Sequence, residues 1–224
     1  YLETLDNIVA FQSQHLVAYQ NDAYAARYRA LVNRIVDAER ALPLPQQDGL
    51  ACAVARYYAK LLSYKDEYEV ARLYSNDDYW RALAQEFEGN YKLRLHLAPP
   101  LLAKRDPVTG EIEKREFGAW IWPVLRQLAR LRVLRGGRFD IFGRTDERKM
   151  ERRLIAEYET LVETLISGLN PGNYQFAVEL AALPEHIRGF GHVKARHVEE
   201  IKRRENELMT AFRDAASPAL QEAS

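Results

Sequence analysis

A mainly α-helical fold carrying one small antiparallel β-hairpin is what this sequence predicts, and three observations predict it. Apolar residues recur at spacings of three and four along most of the 224 residues. Residues that start and stop helices stand where those runs begin and end. One stretch, "YKLRLHL", instead alternates with a period of two.

The start, "YLETLDNIVAFQ", is amphipathic, has no signal-peptide pattern and lacks an initiating Met, so the chain is expected to be a piece cut from something longer. Tyr24, Tyr28, Leu31, Ile35, Ala38 and Leu42 then trace one helix face. Leu42 to Gly49, "LPLPQQDG", is the clearest boundary, with two prolines and a glycine between two helical patterns. Leu50, Val54, Tyr57, Leu61, Tyr64 and Tyr68 predict a single helix running to about Tyr74. "SNDDYWRALAQEFEG" adds a helix capped at Ser75 or Asn76, acidic in its first turn and stopped by Gly89.

Tyr91, Leu93, Leu95 and Leu97 alternate with Lys92, Arg94 and His96, which predicts a half-buried strand. "GEIEKREFG" is expected to pair with it antiparallel, with "APP" ending the first strand and "DPVTG" turning the chain, so the hairpin lies near residues 91–117. Met150, Leu154, Tyr158, Leu161, Leu165 and Leu169 predict a long helix with Thr145 as N-cap. Gly168 ends it, and "NPG" is expected to open the next helix with Asn170 as cap and Pro171 at the first helical position. A last, charged helix follows "RGFGHVK". The expected division is a helical segment 1–44, a helical domain 45–216 and a flexible tail 217–224.

Composition narrows the function. Lys+Arg and Asp+Glu both number 32, so no net field draws nucleic acid or an anionic membrane. No apolar run approaches the ~20 residues that span a bilayer. The single cysteine, Cys52, cannot form an internal disulfide, which points to a reducing, cytoplasmic compartment. One thiolate cannot hold a four-cysteine iron–sulfur cluster or a structural zinc either, and Cys52 among alanines is expected as a small buried apolar residue.

"RGFGHVK", Arg188 to Lys194, invites comparison with a phosphate cradle and fails it. A P-loop needs four residues between its glycines and a hydroxyl after its lysine, and a dinucleotide fingerprint needs a third glycine, where Lys194 stands. Two readings remain: Gly189 and Gly191 permit a tight turn, or Arg188, His192 and Lys194 at a free helix start meet an anion. His192 and His197 are five apart rather than the four that places two ligands on one helix face, His15 and His96 stand alone, and no G-x-S-x-G elbow is present.

"RQLARLRVLRGGR" carries Arg126, Arg130, Arg132, Arg135 and Arg138 without an acid. Residues 186–204 add six Lys/Arg against two Glu. Either Leu125, Leu128, Leu131 and Leu134 face the core and the arginines are simply solvated, or Arg130, Arg135, Arg188, His192 and Lys194 form a patch for an anion or acidic partner. No catalytic, cofactor-binding or metal-ligating residue is assigned.

Three strings, "YYAKLLSYKDEYEVARLY", "FEGNYKLRLHLAPPLLAKRDPVTGEIEKREFG" and "ALPEHIRGFGHVKAR", resemble the C-terminal region of bacterial indolepyruvate ferredoxin oxidoreductases, the large fused 2-oxoacid:ferredoxin oxidoreductases. The resemblance runs over about residues 50–213, and "VAYQNDAYAARYRALV" looks like the helical end of the family's preceding gamma-type domain. It implies residues 1–44 as the tail of that domain and 45–216 as a helical accessory domain. The parent enzyme it implies decarboxylates arylpyruvates oxidatively to acyl-CoA, using thiamine diphosphate, Mg²⁺ and an iron–sulfur cluster, with ferredoxin as electron acceptor.

None of that machinery maps onto this sequence, which lacks a G-D-G segment with its Asn pair as well as cluster cysteines. The isolated chain is therefore expected to be inactive and to hold no cofactor. Its expected partners are the catalytic domains of the same polypeptide, in a homo-oligomeric parent. A sharper alternative makes the basic stretches a docking module for ferredoxin or for the phosphates of coenzyme A. A helical nucleic-acid-binding module is a third, opposed by the zero net charge.

Overall fold

The computed structural model describes residues 4–45, 48–89, 92–97, 115–189 and 191–216. Among them the order is α1 (Leu5–Tyr19), α2 (Asp22–Arg40), α3 (Gly49–Leu62), α4 (Glu67–Tyr74), α5 (Asp77–Glu86), β1 (Leu95–Leu97), β2 (Arg115–Phe117), α6 (Ile121–Arg130), α7 (Asp146–Gly168), α8 (Tyr174–Ala182) and α9 (Gly191–Asp214). Short 3₁₀ turns follow α6 at Leu131–Leu134 and α8 at Leu183–His186. The fold is mainly helical with one two-stranded antiparallel sheet. No helix among the described residues is long and apolar enough to cross a membrane.

The chain forms two compact units. The described residues of Tyr1–Tyr64 and Asp146–Ser224 make the first, and those of Lys65–Thr145 the second. In the first, α3 is central and packs against α1, α2, α7 and α8, while α9 lies on α8 and the 183–186 turn. Alanines on α3 (Ala51, Ala55, Ala59) are fully buried, which lets neighbouring helices approach closely. Tyr28, Tyr58 and Tyr158 stack through this core with ring centroids 6.0 Å apart at each step. Each buried phenol keeps an acceptor: Ala55 O for Tyr28 at 3.0 Å, Ala181 O for Tyr158 at 2.8 Å and the Glu159 carboxylate for Tyr58. The proline-containing segment after α2 joins helices of this one unit.

The second unit packs α4 on α6 around Ala71, Leu95, Phe117, Ile121, Leu125 and Ala129. Its hairpin pairs Leu95 with Phe117, His96 with Glu116 and Leu97 with Arg115. Burial alternates along residues 92–97 as the period of two requires, but only three residues on each side form the ladder. The expected turn "DPVTG" and the "APP" stop lie outside the described residues, as does the tail 217–224.

Three boundaries differ from expectation. The helix expected from Leu50 to Tyr74 is two helices. Ser63 closes α3 by donating its hydroxyl to Ala59 O, and Asp66 takes an extended backbone and caps α4 by accepting from Glu69 N at 2.8 Å. That break is also where the chain leaves the first unit. Helix α8 starts at Tyr174 rather than Pro171, because Asn170 Oδ1 accepts from the Gly172 and Asn173 amides and closes a turn instead of capping a helix. Leu131 is nearly half exposed, unlike Leu125, since the 3₁₀ turn that follows α6 takes it away from the core-facing stripe.

Candidate functional site

Around "RGFGHVK" the structure builds a turn from glycine backbone and cationic side chains. Gly189 and Gly191 have φ of 84° and 54°, the left-handed region. A Cβ on Gly189 would lie 2.9 Å from Val193 Cγ1, so a larger residue would have to push Val193 aside as well as adopt a positive φ. Helix α9 therefore starts abruptly, with no acid in its first turn. Lys194 falls in that first turn, at the positive end of the helix dipole, where a cation is disfavoured. Glu151 of α7 offsets it: Lys194 Nζ donates to both carboxylate oxygens at 2.7 Å, with side-chain exposures of 14% and 6%.

Arg188 is exposed, and its carbonyl lies 2.9 Å from His197 Nδ1. Lys60, from α3, reaches the same region and donates to Pro184 O at 2.8 Å and Glu185 O at 2.9 Å. Burial, then the nearby Arg188 and Lys194 charges, hold the Lys60 ammonium below its ordinary range. Tyr57 donates to Glu185 Oε2 at 2.8 Å and completes the clamp on the 183–186 turn. The side chain of His192 lies outside the described residues.

Arg130 and Arg135 belong to the other unit, and their environments are opposite. Arg130 is exposed on α6. Arg135 is buried and donates to Asp66 through Nε at 2.5 Å and Nη2 at 2.8 Å, its guanidinium 5.7 Å from the centre of the Tyr68 ring. Asp140 continues this polar cluster by accepting from the amides of Gly136 at 2.7 Å and Gly143 at 2.9 Å and from Tyr68 at 3.3 Å. Burial, helped by Asp140, raises the Tyr68 phenol well above its usual value.

Of the five residues singled out from the sequence, then, Arg135 and Lys194 are engaged in internal ion pairs, and Arg130 and Arg188 stand exposed. The charges of Arg188 and Lys194 both act on Lys60.

Other groups were not singled out. Glu39 is buried at the end of α2 and caps α3, its oxygens 2.9 Å from the amides of Leu50 and Ala51, with Tyr174 donating at 2.6 Å. The signal was present: Tyr28, Val32, Ile35 and Glu39 fall on one buried stripe, so a carboxylate occupies an apolar position. Glu151 does the same ahead of Leu154, Ile155 and Tyr158 on α7. Cys52 is half-buried, and burial pushes its thiol up, away from the reactive thiolate. Among the described residues no group of three or more His, Cys, Asp or Glu is placed to hold a metal ion.

The model of a family described as one of unknown function, DUF6537, matches residues 5–207. That span takes in both compact units. No curated protein and no solved structure matches the chain.

Proposed function

The chain belongs to DUF6537, and from that premise we propose that it is the C-terminal accessory domain of a cytoplasmic, bacterial fused indolepyruvate ferredoxin oxidoreductase. Its part in that enzyme is structural. It packs on the catalytic domains of the same polypeptide or across the interface of the homo-oligomer, while the oxidative decarboxylation of arylpyruvates to acyl-CoA, with ferredoxin as acceptor, takes place elsewhere in the parent. Thiamine diphosphate, Mg²⁺ and the iron–sulfur cluster sit on those other domains, since a chain with one half-buried cysteine cannot supply a cluster's thiolates.

The observation that carries this reading is where the resembling strings put their polar residues. In "YYAKLLSYKDEYEVARLY", Lys60 clamps the 183–186 turn, Asp66 holds Arg135, and Glu69 accepts two bonds from Arg72 at 2.8 and 2.7 Å. In "ALPEHIRGFGHVKAR", Lys194 is engaged with Glu151 and Gly189 allows the turn. Residues that would be candidates for chemistry by type are engaged in holding helices together.

Deletion of the region matching residues 5–207 from an intact fused oxidoreductase tests the reading. The truncated enzyme is expected to lose solubility or oligomeric assembly while any correctly assembled fraction still decarboxylates arylpyruvate. Unchanged solubility, assembly and turnover after the deletion would overturn it.

A further inference from the structure

Three buried phenols in the first unit share one stack but not one chemistry. Tyr28, Tyr58 and Tyr158 follow one another with ring planes 25° and 18° from parallel. Tyr28 and Tyr58 are fully buried and Tyr158 is nearly so. Tyr28 donates to Ala55 O and Tyr158 to Ala181 O, and a backbone carbonyl is an acceptor but not a base near neutral pH. Tyr58, the middle ring, donates instead to Oε1 of Glu159, a carboxylate that can take a proton. Glu159 is held by two hydrogen bonds from Arg27, at 2.7 and 2.8 Å, and its side chain is 27% exposed.

That difference matters for one-electron chemistry. A neutral phenol gives up an electron readily only if its O–H proton leaves with it, because the phenol radical cation is a strong acid. Burial, then the bond to Glu159, push the Tyr58 phenol up, so it is uncharged near neutral pH. An electron taken from Tyr58 is matched by transfer of its proton along an existing hydrogen bond to Glu159, and the partly exposed carboxylate can pass that proton to water. The flanking rings have no such outlet, so a radical on Tyr58 does not pass to them at low cost, and they shield it from solvent. Tyr57 shows the contrast: it too donates to a carboxylate, Glu185, but it is only half-buried and its acceptor is exposed.

We propose that Tyr58 is a redox-active tyrosine: stacked between Tyr28 and Tyr158 and bonded to Glu159, it is oxidised by a one-electron oxidant of the peroxyl-radical class to a persistent neutral tyrosyl radical. The electron passes from the Tyr58 ring through the packed protein to the oxidant, which becomes a peroxide anion and takes a proton from water. The Tyr58 O–H bond breaks, and its proton goes to Glu159. A one-electron donor of the hydroquinone class reverses the step, supplying the electron while the phenol regains a proton through Glu159. All of these residues lie in the first compact unit, and the activity stands whatever the identity of the parent enzyme.

The test uses the whole chain, a ruthenium tris-bipyridine photo-oxidant with persulfate, and electron paramagnetic resonance of freeze-quenched samples. A tyrosyl radical is expected that outlives any in Y58F at least about tenfold, the effect of a decay barrier about 1.4 kcal/mol higher. In E159Q, which keeps an oxygen to accept from Tyr58 but no base, the yield of the long-lived radical is expected to fall by a similar factor. Its formation should slow in D₂O, and that isotope effect should vanish in E159Q. Peroxyl radicals from a thermolabile azo initiator should give the same signal, and a water-soluble hydroquinone should erase it. Unchanged thermal melts will show that the variants fold; if Y58F does not, E159Q and the isotope effect decide. The proposal is overturned if folded Y58F keeps the long-lived signal, if E159Q behaves as the unsubstituted chain, or if formation shows no isotope effect. It is equally overturned if the spectrum is that of a tryptophan radical, if peroxyl radicals give no signal, or if the hydroquinone leaves the signal in place.

Discussion

Asp66 offers the most demanding test of how the second unit is held together. Its carboxylate caps α4 through Glu69 N and receives two hydrogen bonds from Arg135, with side-chain exposures of only 3% and 2% for the pair. In Asp66→Ala the lost cap costs about 1 kcal/mol. Removing the carboxylate to which the buried Arg135 donates twice costs roughly 3–5 kcal/mol. The two losses share one side chain and do not add in full, so about 4 kcal/mol is the expected total. All three tryptophans, Trp80, Trp120 and Trp122, lie in this unit, so tryptophan fluorescence during urea unfolding reports on it selectively. With a urea dependence of about 2 kcal/mol per molar, the midpoint should fall by roughly 2 M. The double variant D66N/R135M, which removes both charges and leaves the cap position polar, should recover at least half of that loss. A fall of less than roughly 0.5 M in D66A, or a double variant as damaged as the sum of the singles, would refute the reasoning.

Other perturbations address the first unit. Glu151→Ala leaves Lys194 half-buried at the positive end of α9 and should destabilise the chain by about 3 kcal/mol, measured by far-ultraviolet circular dichroism in urea, with E151A/K194M milder than E151A. Glu39→Ala removes the acceptor for two α3 amides and the Tyr174 phenol and should cost about 2–4 kcal/mol, whereas Y174F, which keeps the amide bonds, should cost about 1 kcal/mol. Alkaline stability follows from the tyrosines. Burial, aided by Glu39, pushes the Tyr174 phenol from 10.0 up to about 12, and burial raises Tyr28, Tyr58 and Tyr158 further. Above the unfolded value the folded state binds more protons than the unfolded state, so stability is complete below about pH 10 and falls as pH rises toward the folded values. Phenolate absorbance and helix signal should therefore change together above that pH. Full ionisation with the helix signal intact would contradict this.

The helical framework was legible because its signal is periodic. The stripe from Tyr24 to Ile35 and the stripe from Met150 to Leu165 both lie within single helices. The β period in "YKLRLHL" found the strand and its partner. What periodicity could not find was interruption: Leu61, Tyr64 and Tyr68 keep helical spacing across a break that Asp66 imposes by side-chain hydrogen bonding. Nor could the sequence tell which arginines are solvated. Arg130 and Arg135 read alike within one acid-free run, yet Arg135 pairs with Asp66, 69 positions away. The Lys194–Glu151 and Lys60–Pro184 contacts span 43 and 124 positions, and no local pattern marks them. Long-range polar pairing is a property of the packed chain, and it decides which candidate residues face outward.

The central claim is that this chain is a non-catalytic, structural part of a fused oxidoreductase. The most direct test is to solve an intact indolepyruvate ferredoxin oxidoreductase with thiamine diphosphate and the iron–sulfur cluster bound and to locate the segment equivalent to residues 5–207. The account predicts a segment packed on the catalytic domains or at the oligomer interface, with none of its side chains touching either cofactor. A side chain of this segment in contact with thiamine diphosphate or the cluster, or the absence of any equivalent segment from the enzyme, would contradict it.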